Sequence, residues 1–209
     1  MSKKYEILKD DFITLGDIKL FRIRALKDFG NVKAGDLGGF IQSEENLAQY
    51  GPSWVYNDAK VFDNARVEGL ARIYHNAQVC GDEIMVYDIT WIKDNALVKD
   101  NARVYDYAGV EGDAKIFGNA QVSGLAYVRE KAQVYGNAKV HGDVLVCGEA
   151  LVYGNAQVYD NARVYGNALV KDDAQVLDNA EVFGYAEICG NVLVKDNAVV
   201  KDKLIFHVN

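Results

Sequence analysis

A six-residue repeat constrains the fold of this chain more than any other feature. The repeat is clearest in residues 152–169, which read VYGNAQ, VYDNAR and VYGNAL. The small residue of each unit recurs through 25 hexads between residues 53 and 200, with one extra residue at 81–83. Alanine holds 20 of these 25 positions, and a Val or Ile always follows two residues later. A period of this kind indicates a repeat architecture in which each unit buries its apolar side against its neighbours.

Six residues fit neither an α-helix nor a heptad, but they fit a short strand followed by a corner. The small residue and the Val or Ile lie two apart, so both side chains point to one side of a strand. One outward residue follows the Val or Ile. The two residues after it are mostly Gly or Asp and then Asn, Asp or Gly, which suit a tight corner. Three hexads close one triangular coil of 18 residues. We therefore predict an all-β fold, a single-stranded parallel β-helix of about eight coils over residues 51–209.

Residues 1–50 lack the hexad and carry eight Lys/Arg and eight Asp/Glu, so the net charge of −7 belongs to the repeat region. Within this segment Phe21, Ile23 and Ala25 alternate as in a strand. Because a solenoid exposes a strand edge at each end, we predict that 1–50 form a small β-rich cap on the first coil. At the other end Phe206 keeps the six-residue spacing and is expected to close the last coil.

Several segments outside the simple hexad resemble those of YdcK-like hexapeptide-repeat proteins, which occur in bacteria, phages and prophages. They are residues 22–30 (RIRALKDFG), 34–41 (AGDLGGFI), 43–44 (SE), 46–47 (NL) and 54–56 (WVY). The hexad is also similar to that of acyltransferases and γ-class carbonic anhydrases, although in those enzymes glycine usually follows the aliphatic residue directly. The resemblance implies a left-handed β-helix with a capping N-terminal segment. It implies little about chemistry, because fold does not determine function.

The residue types that usually carry catalysis are few and scattered. The histidines His75, His141 and His207 fall at positions that do not converge, and 66 residues separate the last two. Cys80, Cys147 and Cys189 each follow an inward residue and are expected to point outward. We therefore predict no catalytic residue, no metal site and no cofactor. The aspartates of the corners are interpreted as turn-forming residues rather than calcium ligands: Asp94, Asp100, Asp106, Asp160, Asp178 and Asp196.

One corner of the predicted prism repeats an amide side chain every 18 residues. Stacked amides can hydrogen-bond along such a corner, as they do in other cross-β stacks. This predicts a structural ladder, which Asp173 interrupts, formed by Asn101, Asn119, Asn137, Asn155 and Asn191.

The outward strand positions collect aromatic and aliphatic residues in rows, which is typical of an interface as well as of strand surfaces. We predict an oligomer or partner surface at Leu97, Phe117, Tyr135, Leu151, Tyr153, Leu169, Trp91, Tyr127, Tyr165 and Phe183.

Composition limits the remaining possibilities. The acidic balance makes a nucleic-acid partner unlikely, and the acids are expected to be interleaved with Lys and Arg on the faces. No run of 18 apolar residues and no secretory signal are visible, and the three cysteines lack a disulfide-like spacing. A cytoplasmic protein without membrane contact, in the host cytoplasm if phage-encoded, is expected.

These observations favour a non-enzymatic rigid scaffold or binding protein, phage- or prophage-related, that forms homo-oligomers (trimers or dimers) and acts through oligomer faces or intersubunit clefts. Two alternatives stay open. One is a hexapeptide-repeat transferase that uses acyl-CoA or a nucleotide sugar, with a site between subunits that uses His141 or a backbone-lined groove. The other is a phage anti-defence protein that blocks a host immune protein or sequesters a signalling nucleotide.

Overall fold

The computed structural model describes residues 3–207, with the backbone alone at 206–207. The fold is a parallel β-solenoid of about nine turns with three flat sheets, and the described residues contain no α-helix. The prediction of an all-β parallel β-helix is therefore confirmed, while its left-handed sense stays a prediction.

Each turn contributes one short strand to each of three faces. Face 1 comprises β3 (Leu37–Ile41), β5 (Lys60–Asp63), β8 (Gln78–Gly81), β11 (Leu97–Lys99), β14 (Lys115–Ile116), β17 (Gln133–Val134), β20 (Leu151–Val152), β23 (Leu169–Val170), β26 (Glu187–Gly190) and β29 (Leu204–His207). Face 2 comprises β4 (Trp54–Val55), β7 (Arg72–Ile73), β10 (Trp91–Ile92), β13 (Gly109–Val110), β16 (Tyr127–Val128), β19 (Leu145–Val146), β22 (Arg163–Val164), β25 (Glu181–Phe183) and β28 (Val199–Lys201). Face 3 comprises β6 (Arg66–Val67), β9 (Met85–Val86), β12 (Arg103–Val104), β15 (Gln121–Gly124), β18 (Lys139–Gly142), β21 (Gln157–Val158), β24 (Gln175–Val176) and β27 (Leu193–Val194).

The core is a column of valine, isoleucine and alanine side chains along the axis. Every Val or Ile that follows the small residue by two positions is buried, and the alanines from Ala59 to Ala186 are fully buried. The first residue of each corner has a positive φ and is mostly Gly or Asp, as at Gly154 (71°) and Asp160 (62°). The small inward residues and the left-handed corner residues together explain why the hexad tolerates so little variation.

The chain enters the solenoid earlier than the hexad indicates. The strand β3 pairs in parallel with β5, with Ile41 opposite Val61, and Leu47 forms an isolated parallel bridge with Val67. With Val55 these residues complete a first coil whose spacing is irregular, which is why about nine turns form rather than about eight. The division of the chain into a capping unit at residues 1–50 and a repeat unit at 51–209 stays a prediction.

The N-terminal hairpin lies against the edge of face 1. It consists of β1 (Tyr5–Leu15) and β2 (Ile18–Ala25), and β2 pairs antiparallel with β3. A Cβ on Gly39 would lie 2.5 Å from the carbonyl oxygen of Ala59, so only glycine allows this approach. A short 3-10 helix, Glu44–Asn46, follows β3. The hairpin thus covers the strand edge that a first coil would otherwise expose.

Lys4 and Tyr5 fasten the hairpin to the first coil. The Lys4 ammonium donates to the Ser53 carbonyl oxygen at 2.9 Å, and the Tyr5 hydroxyl donates to the Leu47 carbonyl oxygen at 2.7 Å. The Tyr5 ring also packs edge-on against Trp54. Both anchoring residues are buried, so the joint excludes water.

The last turn corrects one sequence prediction. Ile205 pairs with Ile188, and Phe206 pairs with the outward position Cys189, so the turn is one residue shorter than the six-residue spacing implies. The placement of Phe206 in a Val position was therefore wrong. Its side chain lies outside the described part of the chain.

Candidate binding surfaces

Face 1 carries a stack of three aromatic rings. The rings of Phe117 and Tyr135 lie 4.7 Å apart, and those of Tyr135 and Tyr153 lie 4.8 Å apart, each pair parallel within 2°. The Lys99 ammonium sits 5.3 Å from the centre of the Phe117 ring. Burial, and next the neighbouring Tyr153, raise the pKa of Tyr135. The stack is therefore an ordered and partly desolvated surface.

The aliphatic residues predicted for the same surface form the adjacent column. Leu151 and Leu169 are register neighbours on β20 and β23. Leu97 belongs to the same column but is separated from them by Lys115 and Gln133 on the intervening strands. The structure thus gathers five of the six predicted face 1 residues into one patch, and all six side chains are half-buried.

Face 2 holds two separate aromatic pairs. In the first, the Trp91 Nε1 donates to the Tyr127 hydroxyl at 3.3 Å, and that hydroxyl donates to Glu111 at 3.2 Å. The two rings close over Gly109, where a Cβ would lie 2.6 Å from each of them. The glycine is therefore required by this cluster.

The second pair on face 2 is a parallel stack of Tyr165 and Phe183 at 4.7 Å. The Tyr165 hydroxyl donates to Glu181 at 3.1 Å. One strand, β19 with Leu145 at its outward position, lies between the strands of the two pairs. The four aromatic residues predicted for face 2 share one face but do not form one continuous patch.

The corner amides between faces 1 and 3 form a continuous ladder. Hydrogen bonds of 3.2, 3.0 and 3.1 Å run from Asn101 to Asn119, to Asn137 and to Asn155. Asn155 then donates to Asp173 at 2.9 Å. Asn191 lies at the next step, where Asp173 cannot donate a hydrogen bond to it when ionised.

Sequence reasoning missed the most exposed apolar column of the repeat region. At the corner between faces 3 and 2, Leu70, Tyr107 and Leu125 are 42%, 51% and 58% exposed, and Ile89 is half-buried. We call these four residues the corner ridge. Three later turns carry Asn161, Asn179 and Asn197 at the same position, where they form an amide ladder. An apolar residue where the corner normally has Asn or Asp was the available signal.

A groove of about 420 Å³ begins where the corner ridge ends. Its lining includes Tyr127, Arg129, Asp143, Asn161 and Arg163 as well as Leu125. The Arg129 Nε is buried, has no hydrogen-bond partner within the described residues and lies 3.9 Å from the Glu130 carboxylate, with which it forms an ion pair. Two guanidinium groups beside an aromatic ring suit an anionic ligand.

The histidines and cysteines each have a structural setting. His75 contacts Asp94 at 2.9 Å, and the His141 ring stacks on Tyr159 at 5.1 Å. The side chain of His207 lies outside the described residues. Burial, and next the charge of Asp63, raise the pKa of Cys80 to about 11, and burial also raises the pKa of Cys147. These two thiols are therefore held neutral, and a neutral thiol is a poor nucleophile.

Corner aspartates bind the backbone of the next turn. The carboxylate of Asp100 accepts from the Gly118 amide at 3.1 Å, and that of Asp106 accepts from the Gly124 amide at 3.1 Å. In the part of the chain that the structure describes, no group of three or more His, Cys, Asp or Glu residues could hold a metal ion.

Charge is segregated between faces and corners. After residue 50, the outward positions directly flanking each inward Val, Ile or Leu carry 13 Lys/Arg and four Asp/Glu, whereas the corners carry 18 Asp/Glu and two Lys. The expected interleaving of opposite charges on the faces is therefore wrong. Three basic faces alternate with three acidic corners around the axis.

Two comparisons bear on the identity of the chain. Residues 156–172 and 162–178 match the family model of the YdcK beta solenoid repeat. No curated protein matches the chain in sequence. Among the residues that the structure describes, no helix is long and apolar enough to cross a membrane.

Proposed function

Because this chain is a YdcK-like β-solenoid repeat protein, we propose that it is a non-enzymatic rigid scaffold that binds through its outer surface. The observation that carries the proposal is the ring stack of Phe117, Tyr135 and Tyr153 on face 1. Its neighbours Leu151 and Leu169 make the patch continuous. An apolar patch of this kind on a flat sheet has the composition of an interface.

The rigidity of the surface supports a binding role. The backbone of each turn is hydrogen-bonded to the next, as in the bonds from the Tyr135 amide to the Val152 carbonyl and from the Tyr153 amide to the Val170 carbonyl. Tyrosine offers a large contact area with few rotatable bonds, so little side-chain freedom is lost on binding. A preformed surface avoids the ordering cost that weakens flexible binders.

Two kinds of partner fit this role. In the first, copies of the chain pack side by side as dimers or trimers and use the flat faces against one another. In the second, a foreign protein, such as a host protein in the cytoplasm of a phage-infected cell, covers the patch. Both use the same residues of face 1.

The proposal is tested by a variant in which Phe117, Tyr135 and Tyr153 are all replaced by threonine. Threonine suits a strand, so the solenoid is expected to stay folded. A matched control replaces Gln121, Lys139 and Gln157, three consecutive outward residues of face 3, by threonine.

The face 1 variant is expected to lose an assembly or partner that the wild type and the face 3 control retain in native mass spectrometry of the purified protein. The same oligomeric state and the same bound partners for all three proteins would contradict the proposal. So would turnover of an acyl-CoA or a nucleotide sugar that His141→Ala abolishes, which is the result the transferase alternative requires.

A second candidate function rests on the groove at Arg129 and Arg163. Its two guanidinium groups suit a phosphate, the Asp143 carboxylate suits a hydrogen-bond donor of a base, and the ring of Tyr127 offers a stacking surface. Sequestration of a signalling nucleotide by a phage protein would use such a groove. Calorimetric titration with AMP and with a cyclic dinucleotide tests it, and Arg163→Gln is expected to weaken binding by at least about tenfold. Absence of heat with both nucleotides would contradict it.

A further inference from the structure

The corner ridge departs from a rule that the rest of the solenoid obeys. At the other two corners, the same position is polar in every turn between residues 58 and 203 except at Tyr185. Asparagine at this position forms amide ladders, as Asn161 and Asn179 show at 3.3 Å. Each apolar residue of the ridge therefore gives up a hydrogen bond and exposes apolar surface to water. Four such departures in consecutive turns indicate a contact.

The ridge is the centre of a wider apolar area. Beside it on face 3 lie Tyr87 and Tyr105, stacked at 5.3 Å. Further out, Met85 is 42% exposed and Tyr50 is 65% exposed. Apolar area that continues over several turns around one corner is rare on monomeric proteins.

The charges beside the ridge differ on its two sides. Next to the ridge lie Glu68, Asp88 and Asp106 on the side of face 3 and Arg72 on the side of face 2. One outward position further from the ridge, face 3 carries Arg66 and Arg103, and face 2 carries Lys93, Glu111 and Arg129. Arg72 forms no ion pair with any residue that the structure describes. The charged residues nearest the ridge are thus acidic on one flank and basic on the other.

We propose that the corner ridge is the contact of a two-fold dimer of this chain, with the symmetry axis parallel to the solenoid axis. In that arrangement each ridge residue lies opposite its own copy. The acidic flank of one copy then faces the basic flank of the other, with Glu68 opposite the partner's Arg72. An antiparallel dimer would instead bring Asp88 opposite Asp106 and Arg72 opposite Arg129. Opposite charges across a contact favour the first arrangement over the second.

The contact is short. Three steps of about 4.8 Å separate Leu70 from Leu125, which gives a length of about 14 Å along the axis. Permanent dimers bury more surface than so short a contact provides. The dimer is therefore reversible, with a dissociation constant in the micromolar range or above.

The dimer is tested by sedimentation equilibrium of the full chain up to about 500 µM. The variant replaces Leu70, Tyr107 and Leu125 by asparagine, the residue that this corner already holds at Asn161. Because asparagine suits the corner and can extend the ladder, the variant is expected to fold and to melt no lower than the wild type. The control is Tyr185→Asn, which removes a tyrosine that is 77% exposed at a different corner.

The wild type and the control are expected to dimerise, and the triple variant to weaken dimerisation by at least about tenfold. A wild type that stays monomeric, or a triple variant that dimerises as tightly as the wild type, would overturn the proposal. The ridge does not include face 1, so the threonine variant of Phe117, Tyr135 and Tyr153 is expected to keep this dimer. Failure of one proposal is therefore distinguishable from failure of the other.

The orientation is tested by charge reversal. Arg72→Glu places two acids opposite one another in the parallel dimer, so it is expected to weaken association. Adding Glu68→Arg to this variant restores opposite charges across the contact and is expected to restore the association. In an antiparallel dimer Arg72→Glu would face Arg129 and tighten association, and that result would overturn the parallel arrangement.

Discussion

At the scale of single residues, the corners decide what each position of the hexad tolerates. The first corner residue has a left-handed backbone conformation, and the second projects a side chain toward the same position of the next turn. Glycine and aspartate meet the first requirement, the latter with a carboxylate that accepts an amide hydrogen bond from the next turn, as Asp106 does from Gly124. Asparagine meets the second requirement because its amide both donates and accepts.

Gly154 tests the first requirement. Its φ is 71°, and a Cβ there would lie 2.9 Å from the Asp172 amide nitrogen. Gly154→Ala is expected to lower the free energy of unfolding in urea by about 1–2 kcal/mol, because a side chain is strained in this conformation. Gly154→Asp is the matched comparison and is expected to cost less, since Asp160 and Asp172 have the same conformation. Equal losses for the two variants would contradict this account.

Asn137 tests the second requirement. It accepts from Asn119 at 3.0 Å and donates to Asn155 at 3.1 Å. Asn137→Ala removes both bonds and is expected to lower the free energy of unfolding by about 1 kcal/mol. The control is Gln121→Ala, an outward residue of face 3. A loss at Asn137 no larger than that at Gln121 would show that the ladder does not stabilise the fold.

Most of the inward residues, and the amide ladder at the corner between faces 1 and 3, could be predicted from the sequence. Once Val158 and Val164 are assigned to the core, the period of six assigns the position of the other residues of the repeat. The corner ridge could not be predicted in the same way. Leu70 and Leu125 satisfy the spacing of the hexad, and they differ from the other turns only in that asparagine or another polar residue usually holds this corner position. The ring contacts across Gly109 depend on side-chain orientation, which the spacing does not determine.

At the scale of elements, the N-terminal hairpin and its attachment set the start of the solenoid. The hexad does not reach β3, since Gly38 and Gly39 occupy its centre and replace the alternation of small and aliphatic residues. The sequence therefore could not show that Ile41 and Leu47 already complete the first coil. The one-residue register shift at Ile205 could not be predicted either. Phe206 fits the six-residue spacing, and only the pairing of the last strand with β26 shows that Ile205 takes the inward position instead.

Lys4 links the hairpin to the solenoid and makes the free energy of unfolding depend on pH. Its pKa is lowered from 10.5 to about 8, chiefly by burial and next by the charge of Lys27. The unfolded chain therefore holds this proton to higher pH than the folded chain, and stability rises as pH increases from about 8 toward 10.5. Relative to Lys4→Met, the wild type is expected to gain up to about 3 kcal/mol across this interval.

Urea unfolding of both proteins at pH 7.5, 8.5 and 9.5 measures the effect. Tyr5 is present in both proteins, so the opposing effect of its raised pKa cancels in the difference between them. A difference between wild type and Lys4→Met that is constant with pH would contradict the lowered pKa of Lys4.

At the scale of the whole molecule, the solenoid is a rigid prism with basic faces and acidic corners. The net charge of −7 arises at the corners, where aspartate serves the backbone, and does not describe the faces. Within the described residues, the neutral thiols and the stacked histidine have structural surroundings. The apolar residues of face 1 and of the corner ridge remain available for contact with a partner. The sequence predicts that the surface carries the function, and this prediction includes the face 1 residues. The role of Leu70, Tyr107 and Leu125 emerged only from their place at the corner.

The most direct test of this account is disulfide formation by Leu125→Cys under mild oxidation, followed on non-reducing gels. In a dimer with parallel axes Leu125 lies opposite its own copy, whereas an antiparallel contact would separate the two residues by about 14 Å. The account predicts a covalent dimer for Leu125→Cys, and none for the wild type or for Tyr185→Cys at the other corner. No covalent dimer with Leu125→Cys, or equal amounts with Tyr185→Cys, would contradict it.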